Sequence, residues 1–354
     1  MPPSYADSRF AWQGLLPGRP GTPARIEAAS FHGKPVSFEI IDPWAPAAQL
    51  GSTMERLRQD SPTIAAIAII LVPAIACGIY FARRNLRLGR GDRRSVTRLA
   101  LFCLTALALW WALNFPHHAF AELFIFAAYG PILFWILYVA IEPYMRRKWP
   151  QVLISWTRLW SGEWRDPMVA RETLVGIAFG IILACVSTYK NFLPSRFLSG
   201  IDNFVSYDLA YLLGTRFLIS TLLGNLLFHI LMGLAMLCLI VVLGALLRSP
   251  KAAIVVSFLL MAVPVGVING FPHGLAYGAL WLFALMRFGL IASILTMFIN
   301  TVFVSQFAPL TLHTSAWYAP YGYLVLAIFA VIVLYAFRTS LGGRALLASS
   351  HLDD

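Results

Sequence analysis

The sequence predicts an all-α polytopic membrane protein of about eight transmembrane helices, with a small extracytoplasmic N-terminal β-hairpin segment. Three observations predict it. Of 354 residues, 59% are apolar and only 12% are charged, where a soluble domain carries about 25% charged residues. The mean hydropathy is +0.73, and the excess sits in uncharged runs long enough to cross a bilayer. The basic residues cluster beside those runs: residues 83–98 hold seven Arg against one Asp, and residues 146–172 hold six Lys/Arg against three acids. A soluble enzyme, a disordered chain and a small disulfide scaffold are thereby excluded. The net charge of +11 reads as a topological signal, because basic clusters mark cytoplasmic loops and meet anionic headgroups. The implied partner is the lipid bilayer, crossed many times, not nucleic acid.

Residues 1–60 balance six Lys/Arg against six Asp/Glu and carry eight prolines. They contain no apolar run of signal-peptide length. RIEAASF (25–31), His32-Gly33 and KPVSFEII (34–41) read as a β-hairpin, with aromatic and β-branched residues in the second arm. A lone hairpin is marginal in water, so this tail is expected to be part of something larger or a flap resting on the membrane face.

Residues 61–148 form a three-span unit. The first span, Thr63–Phe81, runs into the Arg-rich stretch 83–98, which places that loop in the cytoplasm and the N-terminal tail outside. A second span over Leu99–Phe115 returns outward, and a third over Ala121–Tyr144 stops at Arg146, Arg147 and Lys148. Residues 149–172 are too polar to span. Trp149, Trp156, Trp160 and Trp164 share one helical stripe, which predicts a cytoplasmic amphipathic helix over 149–165 lying at headgroup level. A packed loop between spans is the plainer alternative.

The C-terminal bundle, 173–340, opens with a span over Thr173–Tyr189 whose Gly176 and Gly180 make a GxxxG step for close helix approach. An apolar run over Phe217–Leu247 gives a tilted fifth span, closed by Arg248 and Lys251, and Ala252–Phe271 gives a sixth, interrupted by Pro264. Arg287 splits the following apolar run, Leu275–Phe307. Simple counting gives eight spans and an outside C-terminus. A re-entrant segment at Gly274–Met286, with Arg287 at the inner surface, instead puts the polar tail 341–354 in the cytoplasm with Arg338 and Arg344.

Few residues suggest chemistry. The cysteines, Cys77, Cys103, Cys185 and Cys238, lie in predicted spans without CxxC spacing and read as packing residues. His117, His118 and Glu122 stand close together, and His273 and His313 lie elsewhere, but HExxH and any Glu-Glu pair are absent. No Walker A loop, dinucleotide fingerprint or kinase triplet occurs. No catalytic residue, cofactor or metal is therefore assigned. The candidate intramembrane polar site is Asn225 and His229, which share one face of the fifth span, together with Arg287. An interhelical hydrogen bond that fixes packing is the simpler meaning of the first two. The glycine steps Gly266/Gly270 and Gly274/Gly278 signal close packing, or else a broken helix of the kind transporters use.

The stretches SYADSRFAWQGLLPGRPGTPARIEAASFHGKPVSFEIIDPW (4–44), ARRNLRLGRGDRRS (82–95) and EPYMRRKWPQVLISWTRLWSGEWRDPMVARETLVG (142–176) resemble the C-terminal portion of acidobacterial receptor-like serine/threonine protein kinases. The resemblance covers residues 4–176 and is looser beyond. It implies a cytoplasmic kinase domain, a membrane crossing and an extracytoplasmic region ahead of a multi-span module like this chain, and it agrees with the topology read from charge. The kinase domain itself has no counterpart here, so no catalytic residue carries over. The chain is expected to be either a stand-alone module or a piece of a longer protein. The resulting expectation is a sensor or anchoring module in signal transduction, with a cytoplasmic or fused kinase domain as partner and room for a homo-oligomer. A small-molecule transporter is the alternative, and an intramembrane metallohydrolase built on the histidines is a third reading.

Overall fold

In the computed structural model, the residues described are 6–15, 23–41, 53–89, 93–114, 120–189, 214–304 and 319–342. Three strands come first: β1 (Ser8–Leu15), β2 (Pro23–Phe31) and β3 (Lys34–Ile41). Ten helices follow among the described residues: α1 (Thr53–Arg87), α2 (Arg93–Asn114), α3 (Phe120–Lys148), α4 (Ile154–Ser161), α5 (Pro167–Tyr189), α6 (Thr215–Leu246), α7 (Pro250–Asn269), α8 (Phe271–Phe288), α9 (Leu290–Val304) and α10 (Ala319–Ser340).

The strands form an antiparallel sheet in the order β1-β2-β3. The expected hairpin is present, joined at His32 and Gly33, whose φ values of 51° and 74° are the left-handed pair that a two-residue hairpin turn requires. The expectation lacked β1, which pairs with β2 from Pro23 to Ser30. Asp7 pins that added strand: its Oδ2 accepts the His32 amide at 2.7 Å, and its own amide donates to the Ser30 carbonyl at 3.0 Å. The amide it accepts holds the Asp7 carboxyl below the usual carboxylate range.

The rest is helical and of membrane type. Six helices among the described residues are long and apolar enough to cross a bilayer: those covering Ala68–Arg87, Ser95–Leu113, Pro167–Thr188, Thr215–Leu246, Pro250–Val267 and Ala319–Ser340. The expected count of eight is not confirmed: the six include neither the third expected span, Ala121–Tyr144, nor one in the apolar run 275–307. Gly289, at φ 113°, divides it into α8 of 18 residues and the apolar α9 of 15 residues. At ~1.5 Å per residue these reach about 27 and 22 Å.

α6 lies at the centre of the bundle, packed against α1, α2, α3, α7 and α9. Its 32 residues make roughly 48 Å of helix, which exceeds a ~30 Å hydrocarbon core and requires tilt. It is apolar because it is surrounded by these helices, and half of its 32 residues are buried. Glycine steps set the closest approaches. A Cβ on Gly176 would stand 2.7 Å from the Ala292 carbonyl oxygen, and one on Gly180 would stand 2.5 Å from Ile299 Cβ, so α5 and α9 touch backbone to backbone. On the other side of the bundle Gly274 of α8 rests on Gly266 and Ala262 of α7.

The contacts collect the basic helix ends at one end of the bundle. Phe81 of α1 meets Tyr144 of α3 with ring centroids 5.2 Å apart. Arg98 of α2 reaches the Trp160 carbonyl of α4 at 2.8 Å, and Gly342, just past α10, lies near Pro167 at the start of α5. This Arg-rich end holds Arg84, Arg87, Arg146, Arg147 and Lys148. Arg287 and Arg338 occupy the last turns of α8 and α10.

A proline in α3 explains one buried polar side chain there. Pro143 has no amide, which leaves the Val139 carbonyl without its helical donor. Asn85 of α1, 1% exposed, supplies it: Nδ2 donates to Val139 O at 2.9 Å and to Ala140 O at 3.1 Å. The Asn85→Ala substitution is expected to cost about 1–3 kcal/mol, since it orphans a buried carbonyl. In a Pro143→Ala background, where the helix regains its own donor, the same change is expected to cost under ~1 kcal/mol. Thermal unfolding of the four proteins in detergent measures both values.

Candidate functional site

The helix expected over residues 149–165 is confined to α4, Ile154–Ser161. A 3-10 turn at Pro150–Val152 precedes it, and Gly162 ends it at φ 98°, its amide bonding back to Arg158 and Leu159. The Trp stripe therefore breaks up. Trp156 is 2% exposed, packs edge-on against Trp160 at 5.5 Å, and Trp160 meets Phe102 of α2 at 5.3 Å. Trp149 packs on the same core, whereas Trp164 lies beyond the helix and is 69% exposed. The stripe thus faces the bundle, as in the packed-loop alternative, because Gly162 stops the helix before the periodicity ends.

Three polar attachments hold α4. Arg98 anchors its C-terminal carbonyl, as described above. Arg158 pairs with Asp166 at 2.6 Å, and Asp166 also caps α5 by accepting the Met168 amide at 2.7 Å, with Pro167 at the first helical position. The third attachment is buried: Ser155 Oγ donates to Glu172 Oε1 at 2.6 Å.

Glu172 is the residue that sequence reasoning missed. The expected span began at Thr173, which put Glu172 in the loop, whereas α5 begins five residues earlier at Pro167. Glu172 is 6% exposed, and its Oε2 makes no hydrogen bond among the described residues. The carboxylate lies over Gly289, where a Cβ would stand 2.9 Å from both oxygens. It thereby faces the N-terminus of α9, whose first amides have no helical acceptors and favour a negative charge. One carboxylate thus joins α4, α5 and the α8–α9 joint.

The candidate intramembrane set is not brought together. His229, 5% exposed, places Nε2 2.9 Å from Thr301 Oγ1 of α9, the interhelical hydrogen bond that was the simpler expectation. Asn225 donates to the Thr221 carbonyl one turn back at 2.9 Å. Arg287 is exposed in the last turn of α8, with its guanidinium 5.5 Å from the Phe288 ring. It sits at the Arg-rich end and not beside His229. Further along the seam, Ser187 of α5 donates to Asn300 of α9 at 3.0 Å.

No cluster of three or more His, Cys, Asp or Glu able to hold a metal ion occurs among the described residues. The side chains of His117, His118 and Glu122, and residue His313, lie outside the described residues. His273 is buried at the start of α8, 6.0 Å from Tyr277. The four cysteines are free. No family model, no curated protein and no solved structure matches the chain.

Gly289 and Gly162 both have left-handed φ values, 113° and 98°, but only Gly289 faces a packed group. Gly162→Ala is expected to cost about 1 kcal/mol of backbone strain. Gly289→Ala is expected to cost at least ~2 kcal/mol more, through displacement of Glu172. Adding Glu172→Ala should remove that excess, a non-additivity read from unfolding midpoints in detergent.

Proposed function

We propose that the chain is a sensor or anchoring module of the membrane, working in signal transduction with a serine/threonine kinase partner, and that it is not itself the catalyst. The topology that goes with this reading puts the Arg-rich end in the cytoplasm by the positive-inside tendency. The N-terminal sheet is then extracytoplasmic. Antiparallel passes bring the C-terminal tail back to the cytoplasmic face, in a bacterial inner membrane.

The observation that carries the proposal is the attachment of α4 to separate spans. Arg98 ties it to α2, and Ser155 ties it to α5 through Glu172. A relative shift of α2 and α5 cannot leave α4 in place without breaking one of these bonds, so the helix converts span rearrangement into a change at the cytoplasmic face. Such conversion needs a packing with discrete arrangements rather than continuous deformation. The resemblance of residues 4–176 to receptor-like kinases supplies the kind of partner. The transporter alternative gains nothing from the polar seam, where His229 and Thr301 are already joined across α6 and α9.

The test uses the full chain reconstituted in nanodiscs and the serine/threonine kinase domains of the organism that makes it, assayed one at a time for autophosphorylation. At least one is expected to change rate severalfold, and Ser155→Ala is expected to reduce the change while leaving binding intact. A set in which no kinase binds or responds contradicts the proposal.

A further inference from the structure

The N-terminal sheet has two unlike faces. Phe10 and Trp12 alternate on one side of β1, are 53% and 52% exposed, and stack with ring centroids 5.8 Å apart at 17°. The register continues their rows across the sheet: Phe10 opposes Ala28, which opposes Phe38, and Trp12 opposes Ile26, which opposes Ile40. All six positions are apolar. The rows between them read Arg9, Ala29, Ser37, then Ala11, Glu27, Glu39, then Gln13, Arg25, Ile41, with Arg25 and Glu27 paired at 2.7 Å. Every charged residue of these rows therefore occupies the register of the second face. In a three-stranded sheet nothing within the sheet covers the first.

We infer that this apolar face docks on the bilayer surface at the end of the bundle where α1 begins, with Phe10 and Trp12 at headgroup level. Three arguments favour lipid as the occupant. The sheet ends at Ile41 and α1 starts at Thr53, so the intervening chain spans at most about 40 Å and keeps the sheet near that surface. The exposed pair is Phe and Trp, residues that favour the membrane–water boundary, and the segregation of charge means that docking buries none. The patch is also too small for a protein partner. Three strands ~4.8 Å apart and two rows ~7 Å apart make roughly 200 Å², whereas a stable dimer buries about 800 Å² on each side.

The test replaces Cys77, Cys103, Cys185 and Cys238 by Ala in the full chain, reconstitutes it in nanodiscs, and labels Trp12→Cys or Gln13→Cys with an environment-sensitive fluorophore. The label at position 12 is expected to emit blue-shifted and to be quenched by doxyl groups carried on the lipid, with neither effect at position 13. Phe10→Cys and Ala11→Cys repeat the contrast should the Trp12 replacement disturb the stack. Equal, water-like emission at positions 10 to 13 overturns the inference. So does a label at position 10 or 12 that is shielded yet unaffected by lipid-borne quencher, which would identify a protein occupant such as a second copy.

Discussion

Two helices can approach backbone to backbone only where at least one of them lacks a side chain at the crossing. In this protein that condition is met where Gly176 and Gly180 of α5 face Ala292, Leu295, Thr296 and Ile299 of α9. Any Cβ at either glycine would overlap the opposite helix. Within a bilayer no hydrophobic force separates protein from lipid tails, so association rests on such van der Waals contact and on hydrogen bonds between helices. The approach is extended at both ends by polar closure, with Ser187 on Asn300 at one end and Glu172 over Gly289 at the other. Because α9 also contacts α6 and α8, and α10 packs on α5, the position of this pair determines where the C-terminal helices stand.

The same pair explains why an acidic side chain lies in a buried position. An isolated buried carboxylate is costly, and Glu172 reduces that cost in two ways: a short hydrogen bond from Ser155 and the unsatisfied amide end of α9. The result couples distant parts of the chain. α4, too short to be stable alone in water, takes its place from Trp156, Trp160, Arg98 and Ser155 rather than from its own helicity. A module with its surface helix fixed from several spans is suited to reporting on their arrangement, which is the physical content of the proposed role.

The sequence was legible where local chemistry decides. His32-Gly33 between two β-rich arms specifies a hairpin, and Arg287, which splits the apolar run 275–307, stands one residue before the end of α8. Gly176 and Gly180 announced a close approach, although their partner, α9, could not be read from spacing. The Trp stripe misled because Pro150 and Gly162, both inside the predicted 149–165 helix, interrupt it whatever their neighbours' hydrophobicity. Glu172 escaped notice because a charge beside Arg171 near a span end resembles an ordinary interfacial residue. Its importance arises from Ser155 and Gly289, 17 residues before it and 117 after it, which only tertiary packing brings together. His229 was legible as a residue needing a partner, but Thr301 was not identifiable as that partner.

The most direct measurement is disulfide trapping between Ser187→Cys and Asn300→Cys in native membranes, on a background with the four natural cysteines replaced by Ala. The facing oxygens are 3.0 Å apart. The account predicts rapid, near-complete cross-linking under mild oxidation, and slow cross-linking when Ser187→Cys is combined with Ala262→Cys of α7. Failure of the first pair to cross-link, or equal rates for the two pairs, would contradict the pairing of α5 with α9 on which the rest of the bundle depends.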